Sequence, residues 1–228
     1  MGDVFSRLCN EPCERECVVD GPGTPVAIHA IERFLLAYGP GHGVGDPERQ
    51  GGTGQRVAVM DAGPCGLACA HELARRGYAV CVRDRHLLPG GLLIQGAPAF
   101  KVDPAVVEHR LACLRSWGVE FRLGPECGEE ISLARLREEY DAVFLGACAE
   151  EARPLRVPGA DLGGVYQGVT FLLQHNRWAA CEGPTVEVRG RRVAVLGAGD
   201  TAMDCLRTAI REGAAEAVCV YRRGEDSV

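Results

Sequence analysis

Val193-Ala-Val-Leu-Gly197-Ala-Gly199-Asp-Thr-Ala202 reads as a short apolar strand, a glycine turn and the opening of a helix. The order strand, G-x-G-x-x-A, helix is what a dinucleotide turn requires. The first glycine makes the tight turn, the second lets backbone approach a pyrophosphate, and the third small residue lets helix pack on strand. Free N–H groups at the helix N-terminus then face the phosphates. Working outward, the pattern predicts strand 193–196, a helix over 200–212, Gly213 as its stop and a strand over 217–221. Arg222 and Arg223 follow, twenty residues beyond Ala202. An acid there would hold a ribose 2′-hydroxyl, whereas arginines suit a 2′-phosphate, which points to NADP rather than NAD. The bland alternative is a structural turn with two solvated arginines.

The same unit occurs earlier as Val57-Ala-Val-Met-Asp61-Ala-Gly63-Pro-Cys-Gly66-Leu. Here Asp61 stands in the place of the first glycine, with Gly63 and Gly66 in the other two. Strand 57–60, helix 66–76 closed by Gly77, and strand 79–82 are predicted around it. Asp84 lies eighteen residues after Gly66, where a ribose-binding acid belongs, and Gly90-Gly91 follows on a loop. A carboxylate beside a pyrophosphate is unfavourable by up to about 4 kcal/mol per unit charge at about 4 Å. A nucleotide fold that no longer binds its nucleotide is therefore the alternative for this unit. Between the two units the pattern predicts a helix begun by Asp103-Pro104 and ended by Gly118, strands 119–122 and 142–146, and a helix over 170–177. Strands alternating with helices imply a mainly parallel α/β sheet.

Upstream lie Cys9, Cys13 and Cys17, evenly spaced, and then a helical periodicity through Ile28, Ile31, Leu35 and Tyr38 within 25–38. Three thiols at this spacing suit iron–sulfur ligation, although such clusters usually take four cysteines. Two alternatives stay open: zinc with His29 as fourth ligand, and three structural cysteines on a short helix interrupted by Pro12. The other nine of the twelve cysteines, among them Cys81, Cys113 and Cys219, fall in apolar segments and read as small core residues. Residues 39–55, rich in glycine, proline and polar side chains, read as a linker.

Composition narrows the class further. In 228 residues, 46% are hydrophobic and 30 are glycine, which suits a globular α/β protein with many tight turns. A net charge of −6 with both signs interleaved argues against nucleic acid or an acidic membrane as a partner. No stretch reaches the roughly 18–20 apolar residues of a membrane span, and residues 1–7 lack the form of a signal peptide. The expected location is the cytoplasm, with the cysteines reduced or bound to metal.

Taken in order, Cys9-Asn-Glu-Pro-Cys13-Glu-Arg-Glu-Cys17, Pro25-Val-Ala-Ile-His-Ala-Ile-Glu-Arg-Phe34, Ala62-Gly-Pro-Cys-Gly-Leu67, Pro89-Gly-Gly-Leu-Leu93, Tyr140-Asp-Ala-Val-Phe-Leu-Gly146, Gly197-Ala-Gly-Asp-Thr-Ala-Met-Asp204 and Tyr221-Arg-Arg223 resemble the small subunit of glutamate synthase and related NADPH- and flavin-linked oxidoreductases. The resemblance covers essentially the whole chain. It implies FAD on Gly63, Gly66, Asp84, Gly90 and Gly91, and NADP(H) on Gly197, Gly199, Ala202, Arg222 and Arg223. It also implies a [4Fe–4S] cluster ligated through Cys9, Cys13 and Cys17, and a partner subunit that gives or takes electrons. The flavin carries the chemistry, so no side chain is expected as catalytic acid or base.

The implied organisation is a helical iron–sulfur segment over 1–39, a linker over 40–55, a Rossmann-like FAD-binding unit over 56–183 and the start of an NADP-binding Rossmann unit over 184–228. Several departures accompany it. Asp61 replaces the first glycine of the FAD turn, Cys65 replaces a usual alanine, and Gly146-Ala-Cys148-Ala149 replaces a Gly/Ala-Thr-Gly pattern. Relatives have further cysteines upstream and a chain that returns to close the flavin unit, so both nucleotide units are expected to be incomplete. Two functions follow as expectations: an oxidoreductase passing electrons between NADPH, FAD and iron–sulfur centres, or a non-catalytic truncated relative that at most binds a nucleotide or a partner.

Overall fold

Val57–Met60 and Ala79–Val82 are runs of small and β-branched residues, which fit a strand buried on both faces. In the computed structural model, which describes residues 2–19, 25–39, 48–124, 131–147, 152–176, 186–222 and 224, they become the central strands of a parallel sheet. The chain divides into two compact units, 1–90 with 100–147, and 91–99 with 148–228.

The first unit contains α1 (Gly2–Phe5), α2 (Pro12–Arg15), α3 (Ile28–Tyr38), β1 (Arg56–Met60), α4 (Pro64–Arg75), β2 (Ala79–Asp84), α6 (Pro104–Ser116), β3 (Glu120–Leu123), α7 (Leu133–Glu139) and β4 (Ala142–Leu145). The second contains α5 (Leu92–Gln95), α8 (Gly168–His175), β5 (Arg192–Leu196), α9 (Asp200–Arg211) and β6 (Glu216–Val220).

The first sheet has the order β3-β2-β1-β4, all parallel. Its register sets Met60 beside Arg83 on one side and Leu145 on the other, so three strands end at one edge. From β1 the chain steps outward to β2 and β3 on one side and then returns to place β4 on the other. That reversal of strand order is where open α/β sheets hold ligands. Helix α4 packs on β1 and β2, and α7 on β4. One face of the sheet gathers Ala58, Cys81, Leu136 and Tyr140. Leu67, Leu111, Leu114 and Leu136 are fully buried. Truncating any of them to alanine costs about 2–5 kcal/mol.

The caps are largely as the sequence predicts. The Asp103 carboxylate accepts the Ala105 N–H at 2.9 Å and Pro104 opens α6. Helix α7 is an addition: the Ser132 hydroxyl accepts the Arg135 N–H at 3.2 Å to start it. Arg83, buried inside β2, reaches the Tyr140 hydroxyl at 3.5 Å. The N-terminal residues join this unit, because Arg110 on α6 pairs with Asp3 of α1 at 2.8 Å, both side chains largely buried.

In the second unit, β5 and β6 pair in parallel and cover a core of Phe171, Leu172, Val186, Val188, Cys205 and Ala209. Burial pushes the Cys205 thiol up to about 11, as befits an inert core cysteine. The chain at Val186 is stitched to α8, its N–H on Gln174 at 3.1 Å and its carbonyl on the His175 ring at 2.8 Å. Asn176, just past α8, donates its amide to the carbonyls of Ile94 at 2.6 Å and Ala97 at 2.8 Å.

The expectation that the remaining cysteines are core residues needs correction, since Cys65 is exposed and Cys69 only half-buried. Cys219 is exposed, not a core residue: it lies near the open end of β6, beyond Ala217, which does pack on the core. Cys113 is only half-buried. It stands on the flank of α6 beside His109, with Sγ 3.8 Å from Nε2.

Candidate functional site

The first glycine-turn position needs a backbone conformation that L-residues avoid. Gly197 takes it at φ +116° in the second unit, and Asp61 takes it at φ +98° in the first. A residue with a Cβ held there is strained by about 1–3 kcal/mol. The Asp61 side chain folds back over the turn. Its carboxylate oxygens lie 2.8 and 3.2 Å from where a Cβ on Gly63 would stand, and Oδ2 is buried. The surface that the second glycine keeps open for a phosphate is therefore covered by a carboxylate.

Gly66 has no such freedom. A Cβ there would lie 1.8 Å from the Asp61 carbonyl oxygen, so helix α4 meets the end of β1 backbone to backbone. Cys65, in place of a usual alanine, is exposed and creates no crowding.

Ala62 ties the remaining predicted residues together. Its N–H donates to Asp84 Oδ2 at 2.6 Å, and its carbonyl accepts the Gly90 N–H at 2.8 Å. Gly63, Gly66, Asp84 and Gly90 thus surround one turn at the end of β1. Gly91 follows directly, and both loop glycines have positive φ, +126° and +50°. The Gly146 N–H bonds the Met60 carbonyl at 2.9 Å, and a Cβ on Gly146 would press on Gly66 N at 3.3 Å. His86 is a neighbour the sequence reading missed. Its backbone N–H and its ring Nδ1 both lie 2.8 Å from Asp84 Oδ1. The signal was its place two residues after the acid, where an Asx-type turn brings side chain and backbone together.

In the second unit the turn is unobstructed. Gly197 N–H bonds the Val220 carbonyl at 2.9 Å, and its own carbonyl accepts the Cys219 thiol at 3.1 Å. Gly199 is the N-cap of α9 with nothing within 4 Å of its would-be Cβ. Ala202 stands in the first turn of α9, 3.8 Å from where a Cβ on Gly197 would be. That looser approach tolerates its methyl. Arg222 is exposed just past β6, and Arg223 lies outside the described residues. The residues fit a pyridine dinucleotide here, whereas in the first turn Asp61 stands against the phosphates of an FAD that Gly63, Gly66 and Asp84 would otherwise hold.

The cysteine segment is held by a histidine. The His29 ring binds the Glu11 carboxylate through Nδ1 and the Ser6 carbonyl through Nε2, and the His29 N–H donates to Glu14 at 2.7 Å. Glu11 takes a left-handed conformation at φ 56°, and its N–H points to Cys9 Sγ at 3.4 Å. With both ring nitrogens engaged, His29 is no zinc ligand. The hydrogen bond to Glu11, then that to Ser6, raises its pKa above the ordinary 6.5. Cys9 and Cys13 are exposed and Cys17 half-buried. Among the described residues no three His, Cys, Asp or Glu side chains come together to hold a metal ion, so the three thiols as placed do not form a cluster site.

Comparison with known proteins agrees with this architecture. The chain is 39% identical over 239 aligned residues to the Glutamate synthase (NADPH) small chain of Escherichia coli strain K12, covering 100% of this chain and 50% of that one. The protein of the same name from Mycobacterium tuberculosis strain H37Rv is 40% identical over 221 residues, covering 93% and 45%. The chain spans about half the length of the curated relatives it matches. The solved structure of Mycobacterium tuberculosis FprA in complex with NADPH shares the fold, with a TM-score of 0.62 over 75% of this chain and 44% of that one at 24% identity. The sequence pattern described as Pyridine nucleotide-disulphide oxidoreductase matches residues 55–225, and the chain belongs to that family.

Proposed function

We propose that this chain forms the nucleotide-binding part of an NADPH-linked flavin oxidoreductase of the glutamate synthase small-chain type. The observation that carries the reading is the second glycine turn: Gly197 in the positive-φ conformation open to glycine, and Gly199 open at the N-terminus of α9. The N–H groups of that helix face a pyrophosphate, and Arg222 and Arg223 are assigned to the 2′-phosphate of NADP(H). The first unit, through Gly63, Gly66, Asp84, Gly90 and Gly91, is assigned to FAD, which when bound supplies the acceptor for hydride. Cys9, Cys13 and Cys17 are assigned to an iron–sulfur site only in combination with ligands from outside the described residues, on the strength of three thiols in one short segment, two of them exposed. No described helix is long and apolar enough to cross a membrane, which fits the cytoplasmic location we assign.

Calorimetric titration tests the nucleotide assignment. NADPH is expected to bind at least tenfold tighter than NADH, and Arg222→Ala to narrow the gap. Equal or tighter binding of NADH overturns it. A second reading, a non-catalytic relative, is favoured by one observation, the Asp61 carboxylate folded over Gly63. The absorbance spectrum of the purified chain decides between the two: yellow-brown supports the oxidoreductase and colourless the non-catalytic relative.

A further inference from the structure

The geometry points to His86 as the residue that sets how tightly the first unit takes an adenosine ribose, by competing with the ribose for Asp84. The inference rests on the reading of that unit as a dinucleotide site. An ionised carboxylate only accepts hydrogen bonds and has about four positions at which to do so. The chain itself fills three on Asp84: the Ala62 N–H on Oδ2 at 2.6 Å, and the His86 N–H and ring Nδ1 on Oδ1, both at 2.8 Å. Because Asp84 accepts, the ring carries its proton on Nδ1.

These three bonds are not equivalent. The Ala62 bond holds the glycine turn, and the His86 backbone bond closes the turn that leaves β2. Only the ring bond can be given up without moving backbone. The ring is also the accessible partner: the His86 side chain is 31% exposed, whereas that of Asp84 is 5% exposed. A ribose 2′,3′-diol brings two O–H donors to a carboxylate with about one position left. Seating both hydroxyls therefore exchanges the ring N–H for a sugar O–H. His86 acts as a specificity-determining residue, holding the acid oriented while lowering affinity for the diol.

The test titrates the full chain calorimetrically with ADP and with 2′,3′-dideoxy-ADP, as wild type, His86→Ala and His86→Asn. ADP bound at the second unit is a separate event shared by all three proteins and is fitted as a common site with one affinity. His86→Ala is expected to bind ADP three- to tenfold tighter with no change for dideoxy-ADP. His86→Asn, whose amide can return a donor to the place of Nδ1, is expected to restore the wild-type ratio. Weaker ADP binding by His86→Ala would mean that the ring contacts the ligand and would overturn the competition. An equal change for both nucleotides would reduce His86 to a structural role and overturn it too. ADP binding by none of the three variants would remove the dinucleotide reading together with this inference, whereas ADP binding that is insensitive to the diol removes the inference alone.

Discussion

Asp61→Gly separates the two roles of one side chain. Held at φ +98°, Asp61 carries about 1–3 kcal/mol of backbone strain that glycine does not. Glycine returns about 0.5–1 kcal/mol of that through its freer unfolded chain. The net expectation is a gain of about 1 kcal/mol in urea unfolding of the full chain. Binding responds to the charge. With the carboxylate lying against Gly63, a phosphate at about 4 Å meets a repulsion of at most about 4 kcal/mol at an effective dielectric of about 20. Screening by water and salt reduces this, and an improvement in FAD affinity of at least tenfold, about 1.4 kcal/mol, is expected from flavin fluorescence quenching. Asp61→Ala keeps the strain and loses the charge, so it should gain affinity without gaining stability. A less stable Asp61→Gly refutes the strain argument, and unchanged affinity in both variants refutes the electrostatic one. Wild-type protein that copurifies with stoichiometric FAD refutes the whole account of this turn. If wild type and variants alike stay without flavin, the non-catalytic reading becomes the better one.

Gly66→Ala drives a methyl onto the Asp61 carbonyl and should cost about 2 kcal/mol or more in thermal unfolding, whereas Ala202→Gly should cost only about 1 kcal/mol. The His29 pKa is raised by Glu11 and Ser6, with Arg33 opposing, so its ring stabilises the 6–14 segment fully below pH 6.5 and less as pH rises through its folded value. Hydrogen exchange at residues 11–16, corrected for intrinsic rates, should quicken across that window, and His29→Gln should abolish the dependence. Anaerobic reconstitution of the chain alone should give fewer than about four irons per chain, and about four irons lost on Cys13→Ala would refute this.

The parallel sheet was legible because its signals are local. Strand runs of Val and Ala, Gly63 and Gly199 before helices, and the Asp103-Pro104 cap each act within a few residues. Helix α7 was missed because Leu133 and Leu136 sit among Arg135, Arg137, Glu138 and Glu139, and its one clear signal is the Ser132 cap. The candidate site was legible as a list of residues but not as an arrangement. That Ala62 links Asp84 to Gly90 depends on pairing across 22 and 28 positions, which no local pattern carries. The place of Asp61 was visible, but the direction of its side chain was not, since that depends on the turn it distorts. His29 was weighed as a metal ligand because spacing cannot show that Glu11 and Ser6 already hold its ring.

Asn176 has a consequence for anyone dividing this chain. Its two acceptors, the carbonyls of Ile94 and Ala97, belong to a stretch that enters the second unit at Gly91 and leaves it at Ala99. A single cut after residue 147 would therefore deliver the later half without α5 and with an amide that has lost both bonds. It would leave the other half with ten or so stray residues exposing Leu93 and Ile94, which are buried in the intact chain. Recombination between relatives faces the same constraint. A crossover anywhere between Ala97 and Asn176 separates the amide from the carbonyls it serves, so exchangeable modules here need to inherit the 91–99 excursion together with the later half.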